Sequence, residues 1–263
     1  MARKPFSPSE IDSRSIVGNN PVSRMAIIVL TASMLLGLVL ILSGFGTRWG
    51  WWHYTMGFDI MRWTAIFGAF MLVMTTYAFF RVKNMKSRRG TPLAALGLCI
   101  SVVLVAVPTG LHVASGIFPA IHDVSTDTEN PPEFVDVTSL RSDADRTPEY
   151  GVRETAAIQH EHYPEINSFT MNQSYNRAFE LALQAAGDMR GWEVISYDRA
   201  EGRIEATDRT VWFGFEDDVV VRVQEKNGIT LIDVRSKARV ERKNPGIHAR
   251  RINRYLNRIS RAE

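Results

Sequence analysis

Residues 93–113 read LAALGLCISVVLVAVPTGLHV, an apolar run without an acid, a lysine or an arginine. At about 1.5 Å per residue, such a helix crosses a hydrocarbon core of about 30 Å. Two more long apolar runs precede it, and none follows it. The stretch therefore reads as the last membrane span and as the tether of a soluble domain.

The net charge of +3 conceals a division at this point. Residues 1–121 hold 11 Lys and Arg against 3 Asp and Glu, whereas residues 122–263 hold 20 against 25. The basic excess is flanking charge of membrane helices, so it does not argue for nucleic acid. The single cysteine, Cys99, lies inside the last span and forms no intrachain disulfide.

Working outward toward the N-terminus, residues 1–24 are polar and rich in Pro, Gly and Asn, which predicts a flexible cytoplasmic tail. Spans are predicted at about 25–45, 60–80 and 93–113, a transmembrane region over 25–113. The first run is too long for a signal-peptide core, and no small-residue cleavage site follows it. Between the first two spans stand Trp49, Trp51, Trp52, His53 and Tyr54, an interfacial aromatic belt rather than a quinone or haem site around His53. Arg81, Lys83, Lys86, Arg88 and Arg89 crowd the second loop. Positive-inside counting places that loop and the N-terminus in the cytoplasm. Three spans then leave the C-terminal domain on the far side. The expectation is a multi-pass protein of the bacterial inner membrane with a periplasmic domain.

Beyond the tether, residues 121–167 are acidic, carry four prolines and lack a sustained period. They are expected to form an extended strap. From Asn172 the pattern becomes regular. Ser174 or Asn172 caps a helix reaching about Arg190, with Gly191 at its end. Strands are expected at 192–197, 203–207, 219–224 and 229–240, the last two joined by an Asn227-Gly228 hairpin turn. Asn244-Pro245 opens a final helix to Ser260. The predicted fold of residues 117–263 is α+β: an antiparallel sheet of four or five strands with two helices packed on one face.

Ile121-His122-Asp123-Val124-Ser125-Thr126-Asp127, Asn130-Pro131-Pro132, Tyr163-Pro164-Glu165-Ile166, the run Phe213 to Val223, Asp233-Val234-Arg235-Ser236 and Arg250-Arg251-Ile252 together resemble a bacterial and plastid family. It is catalogued as a domain of unknown function, number fourteen ninety-nine. The resemblance covers about residues 117–260. It implies no established reaction, and it agrees with spans ahead of the domain.

Candidate sites follow. His122, Asp123, Thr126 and Asp127 have the composition for acid–base or metal chemistry, but Asx and Ser/Thr turns explain that composition without chemistry, which is the favoured reading. His160-Glu161-His162, read as extended, puts both imidazoles on one side; zinc needs further ligands, so no metal or other cofactor is implied. Asp217, Asp218, Arg222, Asp233 and Arg235 are expected either to line a polar groove or to pair across strands. Arg250, Arg254 and Arg258 offer contacts to an anionic phospholipid surface or to the acidic strap. The functional expectation is a membrane-tethered envelope module that binds a lipid, a protein or another envelope component. The alternative is an envelope hydrolase or other enzyme using His122, Asp123 and Asp127.

Overall fold

The computed structural model describes residues 23–84, 90–117, 121–141, 144, 147, 153–240 and 246–262. The tail before Ser23, the loop cations Lys86, Arg88 and Arg89, and the Asn244-Pro245 cap lie outside the described residues. Contacts divide the chain into two compact units. One comprises residues up to Ser43 together with Thr55–Thr109. The other comprises Gly44–Tyr54 and Gly110–Glu263.

The first unit is helical. Helices α1 (Arg24–Arg48), α2 (Tyr54–Asn84) and α3 (Gly90–Ile117) are all long and apolar enough to cross a membrane. Each outruns the predicted span. Helical hydrogen bonding continues through the interfacial flanks, where Arg24, Arg48 and Arg81 can reach polar surroundings. Where lipid replaces water, helices associate through close packing and interhelical hydrogen bonds. Here Ser33 of α1 and Thr75 of α2 both approach Ser101 Oγ of α3, at 3.2 and 3.4 Å, and all three side chains are fully buried. Gly68 lets α2 lie against Leu104; an added Cβ would meet the Leu104 Cβ at 2.8 Å.

The second unit is a sheet between a helical layer and a strap. Its elements are β1 (Asp123–Ser125), a 3-10 turn (Asp136–Leu140), α4 (Arg153–His162), β2 (Phe169–Met171), α5 (Tyr175–Gly187), β3 (Trp192–Asp198), β4 (Arg203–Arg209), β5 (Glu216–Lys226), β6 (Ile229–Ala238) and α6 (Ile247–Ser260). All pairings are antiparallel, in the order β1-β6-β5-β4-β3, with β2 also on β6. The sheet thus has six strands rather than four or five. The outermost position is shared by two three-residue strands, too short to show a period in sequence. The strap also holds α4, which the sequence reading did not anticipate. Asn227 and Gly228 both adopt positive φ, 55° and 76°, as the two-residue hairpin turn demands.

Alternation along the strands sends Val219, Val221 and Val223 of β5, and Ile232 and Val234 of β6, into one core with Phe179 and Ala182 of α5 and Ile252 and Tyr255 of α6. Both long helices therefore cover the same face. Burying each large apolar side chain here contributes about 1.5–3 kcal/mol. Helix α5 stops at Gly187, earlier than expected, because its last turn tightens: Met189 N donates to Ala186 O at 3.2 Å. Gly191, at φ 93°, then turns the chain into β3.

Candidate functional site

The opposite face of the sheet is charged and yet dry. Strands β4, β5 and β6 present Glu205, Asp218, Asp233 and Arg235 there, each at most 1 % exposed. Unpaired charges could not persist at such burial, so each must have a partner. Arg235 lays its guanidinium fork on Asp123, with Nε to Oδ1 at 2.9 Å and Nη2 to Oδ2 at 2.8 Å. Lys237 adds a third bond, at 2.9 Å, to Asp123 Oδ2. Burial pushes the Lys237 ammonium below the usual amine range, and the Asp123 carboxylate only partly offsets this.

The strap closes over these groups. Phe134 covers the Arg235 guanidinium at 4.8 Å, and Arg235 Nη1 donates to Pro132 O at 3.1 Å. Glu205 accepts Val135 N at 2.8 Å and Val137 N at 2.9 Å, one on each carboxylate oxygen. Beneath the strap, Phe134, Val137 and Val220 form a small apolar cluster. Arg141, at the strap's far end, pairs with Asp218, as does Arg239 at 2.7 Å. Burial lowers the Arg141 guanidinium pKa. Burial acts the same way on Arg239, but the hydrogen bond and charge of Asp218 outweigh it, and that group ends above its ordinary value.

The expected acid–base group is distributed within this arrangement. Asp127 Oδ1 accepts Glu129 N and Asn130 N, an Asx turn, while its Oδ2 takes Arg222 Nη2 at 3.0 Å. Thr126 Oγ1 donates to Asp233 Oδ1 at 3.2 Å and accepts Val234 N at 2.9 Å. His122 is half-buried, and its carbonyl accepts Ala238 N at 2.9 Å. Gln159 of α4 lies on the outer edge of β1 and makes two bonds with the Ser125 backbone, so its amide stands in for a further strand. His160 and His162 lie on α4, where residues two apart are about 200° round the helix, so they do not share a side. Among the described residues, no group of three or more His, Cys, Asp or Glu is placed to hold a metal ion.

Asp217 parts from its neighbours. Adjacent strand residues point to opposite faces, so it joins the helical side while Asp218, Arg222, Asp233 and Arg235 stay under the strap. Arg222 and Asp233, directly opposite, pair at 2.8 Å. Asp217 instead receives Arg251 Nη2 of α6 at 2.7 Å, and Arg251 Nε reaches Asp208 at 2.7 Å. Those acids hold the Arg251 guanidinium above its ordinary pKa despite burial, which by itself lowers it. Arg251 Nη1 also lies 3.1 Å from His248 Nδ1 and 2.7 Å from Ser236 Oγ. A guanidinium only donates, so Nδ1 accepts, and the imidazole proton resides on Nε2. Ser236 and His248 lie 2.9 Å apart, as a nucleophile and base would, but both are buried and tied to Arg251. Sequence reading missed Arg141, Glu205, Lys237, Arg239 and Arg251; for Glu205, Lys237 and Arg251 the signal is a charge within an otherwise buried strand or helix period, whereas Arg141 and Arg239 lie outside any such period.

The second unit also has an open groove of about 720 Å³ between α5 and α6. Leu181 and Ala185 are in its floor, and Arg250, Arg254, Arg258 and Arg261 line the α6 side. Steps of four, four and three residues keep these arginines within roughly an 80° arc, about 4.5–6 Å apart along the axis. Arg258 approaches Asp188 at 3.5 Å. Among the described residues, Arg254 and Arg261 have no carboxylate within ion-pair distance.

The model of the family described as "Protein of unknown function (DUF1499)" matches residues 123–259. The chain belongs to that family. The match begins at Asp123 and ends one residue before α6 does, so it takes in the strap-covered sheet and most of the helical groove, whose Arg261 and Ala262 lie beyond it. No curated protein and no solved structure matches the chain.

Proposed function

We propose that this DUF1499 protein is an envelope-binding module of the bacterial inner membrane, with a cytoplasmic N-terminus and a periplasmic domain that binds a lipid, a protein or another envelope component. The observation that carries this reading is the closure of the charged sheet face. Asp123 is held by Arg235 and Lys237, and Glu205 is held by strap amides, so these carboxylates serve the fold. A hydrolase using His122, Asp123 and Asp127 needs a carboxylate free to exchange a proton with substrate in a concave site. Here one carboxylate is buried under three cationic donors, and another is built into an Asx turn against Arg222. Binding therefore falls to surfaces outside the sheet, above all to the groove between α5 and α6.

The side of the membrane follows from cation counting in the loops. A reporter that works only in the periplasm, fused after Glu263, tests it, with a cytoplasm-only reporter as control. The expected result is activity of the first and silence of the second. The reverse result returns the basic C-terminal helix to the cytoplasm and removes the envelope assignment.

A further inference from the structure

We infer that the groove between α5 and α6 is a binding site for the headgroup of an anionic phospholipid. This rests on the reading of the domain as a membrane-tethered binding module. Three features select the ligand. The rim is cationic: Arg250, Arg254, Arg258 and Arg261 follow one another along α6, and among the described residues that line the groove they face one carboxylate, that of Asp188. Guanidinium groups suit phosphate because their planar donors engage two oxygens at once.

The floor, in contrast, includes the buried side chains of Leu181 and Ala185. A cationic rim over an apolar floor fits a ligand that joins an anionic head to apolar chain, better than it fits a bare anion. The third feature is supply. Residues 93–113 tether the domain to a bilayer, so lipid headgroups are present at high effective concentration, whereas a soluble anion must arrive by diffusion. An extended acidic peptide, with like-facing carboxylates about 6.6–6.8 Å apart, nearly matches the arginine spacing, and it is the rival occupant.

The pairing of Arg258 with Asp188 gives the site a signature of opposite signs. Removing rim arginines weakens binding, and removing Asp188 strengthens it, because Arg258 loses its internal competitor. Arg254, Arg258 and Arg261 are exposed, so their replacement is expected to leave the fold intact.

The test uses the full chain in a neutral detergent, titrated calorimetrically with dihexanoyl phosphatidylglycerol below its micellar concentration. The other probes are dihexanoyl phosphatidylcholine, inorganic phosphate and a decameric glutamate-rich peptide. The wild type is expected to bind phosphatidylglycerol at least tenfold more tightly than any of the others. Replacing Arg254, Arg258 and Arg261 together with Gln is expected to weaken that binding about a hundredfold, at roughly fivefold per charge removed. Asp188→Asn is expected to strengthen it several-fold. The inference is overturned if phosphatidylcholine or inorganic phosphate binds as tightly, if the peptide binds more tightly, if the triple variant binds like the wild type, or if Asp188→Asn has no effect. The reporter fusion reads the side of the membrane without reference to lipid, so either idea can fail alone.

Discussion

Asp123 and Arg235 meet as two forks, 2.9 and 2.8 Å apart, across the β1–β6 pair. Both are almost wholly removed from water. Such a pair stabilises little relative to apolar replacements, but losing one member is costly because the other stays buried and charged. Asp123→Asn strands both Arg235 and Lys237, so a loss of about 3–5 kcal/mol is expected in urea unfolding. Arg235→Met should cost less, since Lys237 still neutralises Asp123 at 2.9 Å. Equal losses for the two variants would mean that Lys237 does not share the carboxylate.

Glu205 fastens the strap through two backbone amides. Glutamine keeps one acceptor and turns its NH2 toward the other amide. Glu205→Gln should therefore lose about 1.5–3 kcal/mol, the scale of hydrogen bonds to a charged group. The loss should be local. Chymotrypsin should cut faster at Phe134 and Leu140, while the circular dichroism of the sheet is retained. An unchanged cleavage rate would show that the apolar contacts of Phe134 and Val137 suffice to hold the strap.

Tyr255 is fully buried, stacked on Trp192 at 5.1 Å, and donates to Ala182 O at 2.9 Å. Burial raises its phenol far above the ordinary value of 10.0. Below pH 10 the phenol is protonated in both folded and unfolded chains. There Tyr255→Phe loses only the hydrogen bond, about 1 kcal/mol. Above pH 10 the unfolded chain ionises and the folded one does not, so the wild type loses about 1.4 kcal/mol per pH unit. The phenylalanine variant lacks this loss, and its deficit should close near about pH 11. Urea unfolding at pH 8, 10 and 11 measures the difference; a constant deficit would contradict the burial of the phenol.

Gly202 turns β3 into β4 at φ 67°, and its carbonyl accepts Val223 N at 2.7 Å. A Cβ there would lie 2.0 Å from Val223 O. Gly202→Ala is expected to cost at least about 1–3 kcal/mol from backbone strain alone. A thermal midpoint equal to that of the wild type would mean that the turn readily adopts another conformation.

The legible parts of this protein are those coded locally. Residues 93–113 announce a span by length, and Asn227-Gly228 announces a hairpin by turn chemistry. Ile204 and Ala206 show the inward side of β4 by alternation. The fastening of the strap was not legible, because its partners are distant in sequence: Asp123 and Arg235 are separated by 112 positions. Strands β1 and β2, at three residues each, are shorter than one readable period. Glu205 alternates with Ile204 and Ala206 and so reads as solvent-facing, because the layer that covers it is irregular. Arg251 falls within the helical spacing of His248 and Tyr255, but a charge in that position reads as surface until Asp217 and Asp208 are seen beneath it. The rim arginines were visible as a stripe; the apolar floor that makes them a groove comes from α5, some seventy residues earlier in the chain.

The charged residues of the sheet close it under the strap, and among the described residues they leave no open acidic site there. Amide hydrogen exchange of the full chain in detergent, resolved by peptide, tests this most directly. Ser125, Val135 and Val137 are expected to exchange on the timescale of the β5 and β6 amides, because their N–H groups are held by Gln159 and Glu205. Exchange of these amides at the rate of an open chain would contradict it. The Asp123–Arg235 face would then be accessible, and the hydrolase reading would regain its site.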